Sequence, residues 1–185
     1  MTDGERCDVC GFEWDAVDPE DISGRVRSAT SSFARTLLAS PVESSIRPSE
    51  DRWSALEYGC HVRDVLFNLR DRLIFGAVDD EPVCHPMHGT PRVQLGLYSS
   101  DTPTVAAGDL DVAGELFART WDTLDVELRQ RRLVYSLLVG PRALTWVAAQ
   151  ALHETEHHLD DARQCIMVVS AGSPSTKDAG IELPD

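Results

Sequence analysis

The sequence predicts an all-α fold, a four-helix bundle with one long crossover between its second and third helices and a short cysteine-bearing N-terminal arm. Three observations carry this expectation. Apolar residues recur at helical period in four separate stretches. Capping signals stand ahead of the stretches. Residues 81–108, between the second and third, gather four prolines and three glycines, a composition that breaks regular structure.

Each element has its own justification. Residues 1–17 form an arm that carries Cys7-Asp8-Val9-Cys10-Gly11. Asp18-Pro19-Glu20-Asp21 offers an N-cap, a proline at the first helical position and acids in the first turn, so a first helix is expected from there to about Leu38. Ser54-Ala55-Leu56-Glu57 is a capping box, and Leu56, Val62, Val65, Leu66, Leu69 and Leu73 form the apolar stripe of the second helix. Residues 81–108 are expected to cross over with little regular structure. Asp109 or Asp111 is expected to cap a third helix through Leu128, with Leu110, Ala113, Leu116, Phe117, Leu124 and Leu128 facing inward. Leu133 to Val139 is an apolar run that fits a short strand or a buried extended link. The fourth helix is expected from about Ala143 to Val169, closing a bundle of residues 18–170. Residues 171–185 form a polar, acidic tail expected to be mobile.

The chain has 185 residues and is 42% hydrophobic, enough for one substantial core. Seventeen basic residues against thirty-one acidic ones leave a net charge of −14. That balance argues against nucleic-acid binding, which needs clustered cations. No stretch has the length and apolarity of a membrane span, so a soluble, cytoplasmic protein without a membrane partner is expected. Five cysteines, an odd number in such a chain, argue against a disulfide framework.

The chemistry concentrates in His153-Glu154-Thr155-Glu156-His157-His158, inside the fourth helix. Two pairs stand at i, i+4 spacing, His153 with His157 and Glu154 with His158, and each pair shares one helix face. Either can hold a divalent metal if a further ligand arrives. At 100° per residue, Leu144, Val147, Ala148, Ala151, Ala162 and Ile166 cluster on the core side. Glu154 and His158 lie on the flank of that stripe with Gln150 and Asp161. His153 and His157 point toward the opposite side. Metal sites in bundles use inward-projecting side chains, so the phase favours Glu154 with His158 and leaves His153 and His157 as alternates.

Two patterns compete for this helix. His153-Glu154-Thr155-Glu156-His157 satisfies HExxH, in which both histidines bind zinc and the glutamate acts as general base of a hydrolase. Such a site needs a third ligand downstream, where Glu182 is the only glutamate. Asp160 and Arg163 stand where the metzincin extension would place glycine and histidine.

The second pattern spans more of the chain. Trp53, followed eight positions later by His61, and then Glu154 and His158 late in the chain, resemble the signature of the DinB-like superfamily of helical-bundle metalloproteins. Asp160 and Asp161 stand where that superfamily often carries glycine and then glutamine or histidine. The resemblance implies a DinB-like four-helix bundle and a three-ligand divalent site of His61, Glu154 and His158. It is most like the version in mycothiol-dependent maleylpyruvate isomerase and related thiol S-transferases. It thereby implies a small-molecule thiol such as mycothiol, an electrophilic substrate, and S-transfer or isomerisation; homodimerisation through a bundle face also occurs in such families. Zinc suits the ligands, and nickel, iron or manganese remain open. Asp161 is placed to orient a ligating histidine from behind. A metal-binding or stress protein without turnover is the non-catalytic alternative.

Cys7-Asp8-Val9-Cys10-Gly11 is a knuckle of the kind found in zinc ribbons. Two more ligands are needed, and Cys84 and His88 in the crossover, with His85 or Cys60 beside them, are the expected sources. Free thiols in the arm are the plain alternative. Cys165 reads as a small core residue. Arg131 and Arg132 are candidates for binding a carboxylate on substrate or thiol, against an ordinary solvated charge pair.

Overall fold

The computed structural model describes residues 5–136, 138 and 140–172. The arm makes a short 3-10 turn at Trp14–Ala16 and leads into α1 (Ile22–Ala39) and the brief α2 (Pro41–Ser44). There follow α3 (Ala55–Val78), β1 (Val83–Cys84), α4 (Gly89–Gln94), α5 (Pro103–Thr123) and α6 (Val126–Arg129). A hairpin of β2 (Arg132–Tyr135) and β3 (Pro141–Ala143) feeds directly into α7 (Leu144–Gly172). Among the described residues no helix is long and apolar enough to cross a membrane.

The expected four-helix bundle forms from α1, α3, α5 and α7. Helix α1 packs against α5 and α7, and α3 packs against the same two. Consecutive long helices α1 and α3 therefore sit diagonally, while α3 and α5 lie side by side and parallel, Arg63 beside Asp109 and Arg70 beside Thr120, so the chain must return along α3 before α5 begins. Phe33, Leu37, Leu66, Leu73, Leu110, Phe117, Trp121, Leu144 and Leu152 are fully buried between them.

The crossover is more ordered than its composition suggests. Strand β1 pairs in parallel with β2, Val83 opposite Val134 and Cys84 opposite Tyr135, and β2 pairs antiparallel with β3. The apolar run from Leu133 thus begins as a central strand whose Leu133 enters the core. Helix α4 is tied to α3 through Asp64, whose carboxylate accepts from Arg92 at 2.7 Å, from Tyr98 at 3.0 Å and from its neighbour Arg63 at 3.0 Å. Arg63 also reaches Asp101 and Asp109. This half-buried network holds α4 over the middle of α3.

Two helix starts differ from expectation. Asp18 and Pro19 do not open α1, which begins at Ile22. The Asp18 side chain accepts the amide of Glu20, closing a local turn, and the Pro19 carbonyl is taken by the Trp121 indole at 2.9 Å. The third long helix starts at Pro103, ahead of Asp109 and Asp111. Thr102 caps it by accepting the Val105 amide, and Pro103 occupies the first turn. It also stops at Thr123, and Asp125 caps the separate turn α6 that contains Leu128. Helix α7 runs to Gly172, so the expected tail boundary falls on helix, and residues 173–185 lie outside the described residues.

Candidate metal centre

His61 is set by the start of α3. The Ser54 hydroxyl accepts the Glu57 amide and the Glu57 carboxylate accepts the Ser54 amide, a completed capping box that contributes roughly 1 kcal/mol and fixes where the helix begins. Two turns later His61 is buried at 8% exposure, with the Trp53 ring 5.3 Å from its own. Helix α7 brings Glu154 and His158 to the same place. Glu154 Oε2 lies 3.5 Å from His61 Nε2 and 3.3 Å from His158 Nε2.

The orientation of each group is enforced from behind. Asp161 Oδ2 sits 2.9 Å from His158 Nδ1, so the other ring nitrogen faces Glu154. The Tyr58 ring stacks on His158 at 5.1 Å. Gln150 donates to Glu154 Oε1 at 2.7 Å and accepts the Trp14 indole N–H at 2.8 Å. The N-terminal arm therefore helps hold one carboxylate oxygen and leaves the other for the imidazoles. Burial alone would push the Glu154 carboxyl up, but His158 and His61 outweigh it and hold it well below the carboxylate range. Burial likewise opposes charge on His158, yet bonding to Asp161 and Glu154 raises it to about 9.

A second cluster occupies the adjacent face of α7. Ligand atoms of His153, His157, Cys7 and Cys10 all lie within 4.8 Å of one another. The arm covers this face, with the Phe12 and Trp14 rings 5.1 and 4.7 Å from the His153 ring. The two histidines do turn away from the bundle core, as the helix phase implies, but the arm half-buries them.

Three comparisons with known proteins bear on this arrangement. The family model of the DinB superfamily matches residues 24–162, three quarters of the chain. The chain belongs to the DinB superfamily. No curated protein matches it. Among solved structures, YfiT from Bacillus subtilis, described as "a probable metal-dependent hydrolase with an unusual four-helix bundle topology", aligns with a TM-score of 0.74 at 10% identity, over 82% of this chain and 89% of that one. At that identity the likeness speaks for the shared DinB fold.

The donor set of this DinB-superfamily chain fits a divalent cation. Separations of 3.3 and 3.5 Å are long for N–H···O bonds, which centre near 2.9 Å. They match the roughly 3.3 Å between neighbouring ligands around a tetrahedral ion with bonds near 2.0–2.1 Å. Two imidazole nitrogens and one carboxylate oxygen suit zinc and its neighbours, and three protein ligands leave a position open. Beside them lies a cavity of about 530 Å³. Its wall includes His61, Glu154, Trp14, Trp146, Tyr135 and Arg72.

Arg72 and Gly89 carried no signal in the sequence. Arg72 is buried at 7% exposure, donates to the His85 carbonyl and lies 4.5 Å over the Tyr135 ring. It brings a positive charge to the wall of the cavity. Gly89 begins α4 directly against His61, and a Cβ there would stand 2.7 Å from His61 Cε1 and 2.9 Å from its Nδ1. Only the three-dimensional fold reveals either role.

Other sequence candidates are placed elsewhere. Cys84 and His88 do not join Cys7 and Cys10, because β1 and the turn that opens α4 place both on the cavity wall; His153 and His157 stand in their place. His85 serves through its carbonyl. Cys60 is buried, which pushes its thiol up to about 12. Cys165 lies in the core and its sulfur sits 3.3 Å from the Trp53 carbonyl. Arg131 is spent on the end of α3, donating to the carbonyls of Gly76 at 2.8 Å and Asp79 at 2.6 Å, and Arg132 pairs with Glu81.

Proposed function

We propose that this protein is a divalent-metal-dependent enzyme in which His61, Glu154 and His158 hold the cation. It activates a low-molecular-weight thiol such as mycothiol against a small electrophile bearing an anionic group, giving S-transfer or isomerisation. The observation that carries the reading is the convergence of two imidazole Nε2 atoms on a single Glu154 oxygen, beside the cavity. A divalent cation held there favours deprotonation of a bound thiol. Zinc suits the set best, and nickel, iron and manganese are chemically compatible.

The chain supplies the rest. Asp161 fixes the ring of His158, and Gln150 fixes the carboxylate of Glu154. Arg72 offers a cation to a substrate carboxylate within the cavity. Trp14 and Trp146, whose rings stack 6.4 Å apart, form an apolar wall that limits water. The HExxH reading is less well supported, because Glu154 Oε2 turns toward His61 and His158, away from a role as base beside His153 and His157.

A second reading keeps the cation and replaces the thiol by water. The fold likeness to YfiT, described as "a probable metal-dependent hydrolase", favours it. The test loads purified protein with zinc and offers mycothiol or another small thiol with electrophilic alkene carboxylates, following thiol loss and alkene isomerisation, and offers esters and amides separately. Thiol-dependent turnover that disappears in His61→Ala and His158→Ala supports the first reading. Turnover of esters or amides without thiol selects the second. Zinc content unchanged by either substitution overturns both, and stable zinc with no turnover leaves a metal-binding protein.

A further inference from the structure

We propose a second, closed metal site of Cys7, Cys10, His153 and His157, which takes zinc and staples the N-terminal arm to α7. The four ligand atoms already share a space no wider than 4.8 Å. A tetrahedral zinc sets its sulfur ligands about 3.8 Å apart and its nitrogens about 3.3 Å apart, so small side-chain rotations complete the site. Two thiolates and two imidazoles are the soft and borderline donors that zinc prefers in structural positions, and four protein ligands leave none open for substrate.

Three further observations point to a ligand. The arm is folded as a knuckle: the Cys7 amide donates to the Phe12 carbonyl at 2.8 Å, the Gly11 amide to the Cys7 carbonyl at 2.9 Å, and Gly11 adopts φ +74°. Backbone amides of Cys10 and Val9 point at the Cys7 sulfur and that of Phe12 at the Cys10 sulfur. Both ring nitrogens of His153, and Nδ1 of His157, are buried without a hydrogen-bond partner. Orphaned imidazole nitrogens are costly in a folded protein, and a cation beside the two sulfurs would take one nitrogen of His153 and Nδ1 of His157, two of the three.

The site has a consequence for the cavity. Trp14, four residues beyond Cys10, holds Gln150, which in turn holds Glu154. His157 Nε2 also lies 3.6 Å from Asp161 Oδ2, the same oxygen that orients His158. Zinc at the staple thus fixes the arm that positions a ligand of the first site, and the two pairs on α7, offset by one residue, serve different cations.

The test measures metal content of protein purified from zinc-supplemented cells. Two equivalents are expected in the wild type, one in Cys7→Ala/Cys10→Ala, and one in His158→Ala. Cobalt-substituted His158→Ala should show thiolate-to-cobalt charge-transfer absorption and the intense visible bands of a tetrahedral site, and cobalt-substituted Cys7→Ala/Cys10→Ala should lose the charge transfer. Should the double variant misfold, an organomercurial added to the wild type should release zinc while blocking the accessible Cys7 and Cys10. Unchanged metal content in folded Cys7→Ala/Cys10→Ala, no charge transfer in cobalt-substituted His158→Ala, no zinc released by the mercurial, or a Cys7–Cys10 disulfide in the metal-replete protein each overturns the staple. Because the two sites lose metal through different substitutions, failure of one is separable from failure of the other.

Discussion

Asp161 Oδ2 stands 2.9 Å from His158 Nδ1, and this single contact decides which imidazole nitrogen faces Glu154. A carboxylate behind a ligating imidazole fixes its tautomer and raises its basicity, and its loss typically costs 10–100-fold in metal affinity. Asp161→Asn is therefore expected to weaken zinc binding at the His61/Glu154/His158 site by roughly tenfold or more, measured by competition with a chromogenic chelator. An unchanged affinity removes Asp161 from the site's design.

The same contacts set a pH dependence for the metal-free protein. Burial opposes charge on His158, but Asp161 and Glu154 prevail and hold it at about 9, above the ordinary 6.5. A group with a raised folded pKa adds stability that is complete below its unfolded value and is lost as pH rises through the folded one. The thermal midpoint of metal-free protein should thus decline between pH 6.5 and about 9. Glu154 works in the opposite window: its depressed pKa adds stability above its ordinary 4.5 that fades as pH falls further. Zinc held by His158 as proposed would displace its proton, so near pH 7 binding should release about one proton at this site. Calorimetry of Cys7→Ala/Cys10→Ala in buffers of differing ionisation enthalpy reads that release apart from thiol protons, and its absence would show that His158 is already neutral.

Gly89 connects the crossover to His61, a proposed metal ligand, without being one itself. The Asp64 network anchors α4, so the helix cannot easily retreat, and a Cβ at position 89 would meet the His61 ring at 2.7 Å. Gly89→Ala is expected to rotate His61 away from Glu154 and lower metal affinity there, with helical content preserved. Equal affinities in isothermal titrations of the two proteins would mean that His61 has room to yield.

How far this was legible follows from the range of each signal. Helix phase placed Glu154 and His158 on the flank of the core stripe, and their i, i+4 spacing needs only local geometry. His61 is singled out only by the resemblance of Trp53, with a histidine eight positions on, to the DinB-like signature; the capping box marks where its helix begins and says nothing of a ligand. The outward phase of His153 and His157 was also legible, but not what covers them, because the arm that meets them lies some 140 positions earlier in the chain. The same limit misdirected the partners of Cys7 and Cys10 toward Cys84 and His88. Capping signals divided for a comparable reason. Asp18-Pro19 and Thr102-Pro103 carry similar chemistry, yet only the second opens a helix, since the Trp121 indole claims the Pro19 carbonyl. Tertiary hydrogen bonds decide between equal local signals.

Two glycines of α5 should respond oppositely to alanine. Gly114 sits where α5 crosses α1, and a Cβ there would stand 2.4 Å from Thr30 Oγ1. Thr30 is fully buried, and its hydroxyl already bonds the carbonyls of Val26 at 3.0 Å and Arg27 at 3.1 Å, so rotating away breaks bonds within α1. Moving the helices apart instead loosens the packing of Val26 and Phe117. Gly114→Ala is expected to destabilise the fold by about 1–3 kcal/mol. Gly108 is exposed on the same helix with nothing within 4 Å of its would-be Cβ, so Gly108→Ala should stabilise by about 0.5–1 kcal/mol through helix propensity and a less flexible unfolded chain. Urea unfolding of metal-free protein compares the two, and a Gly114→Ala midpoint at or above that of the wild type would mean that α1 and α5 are not in close contact at Thr30.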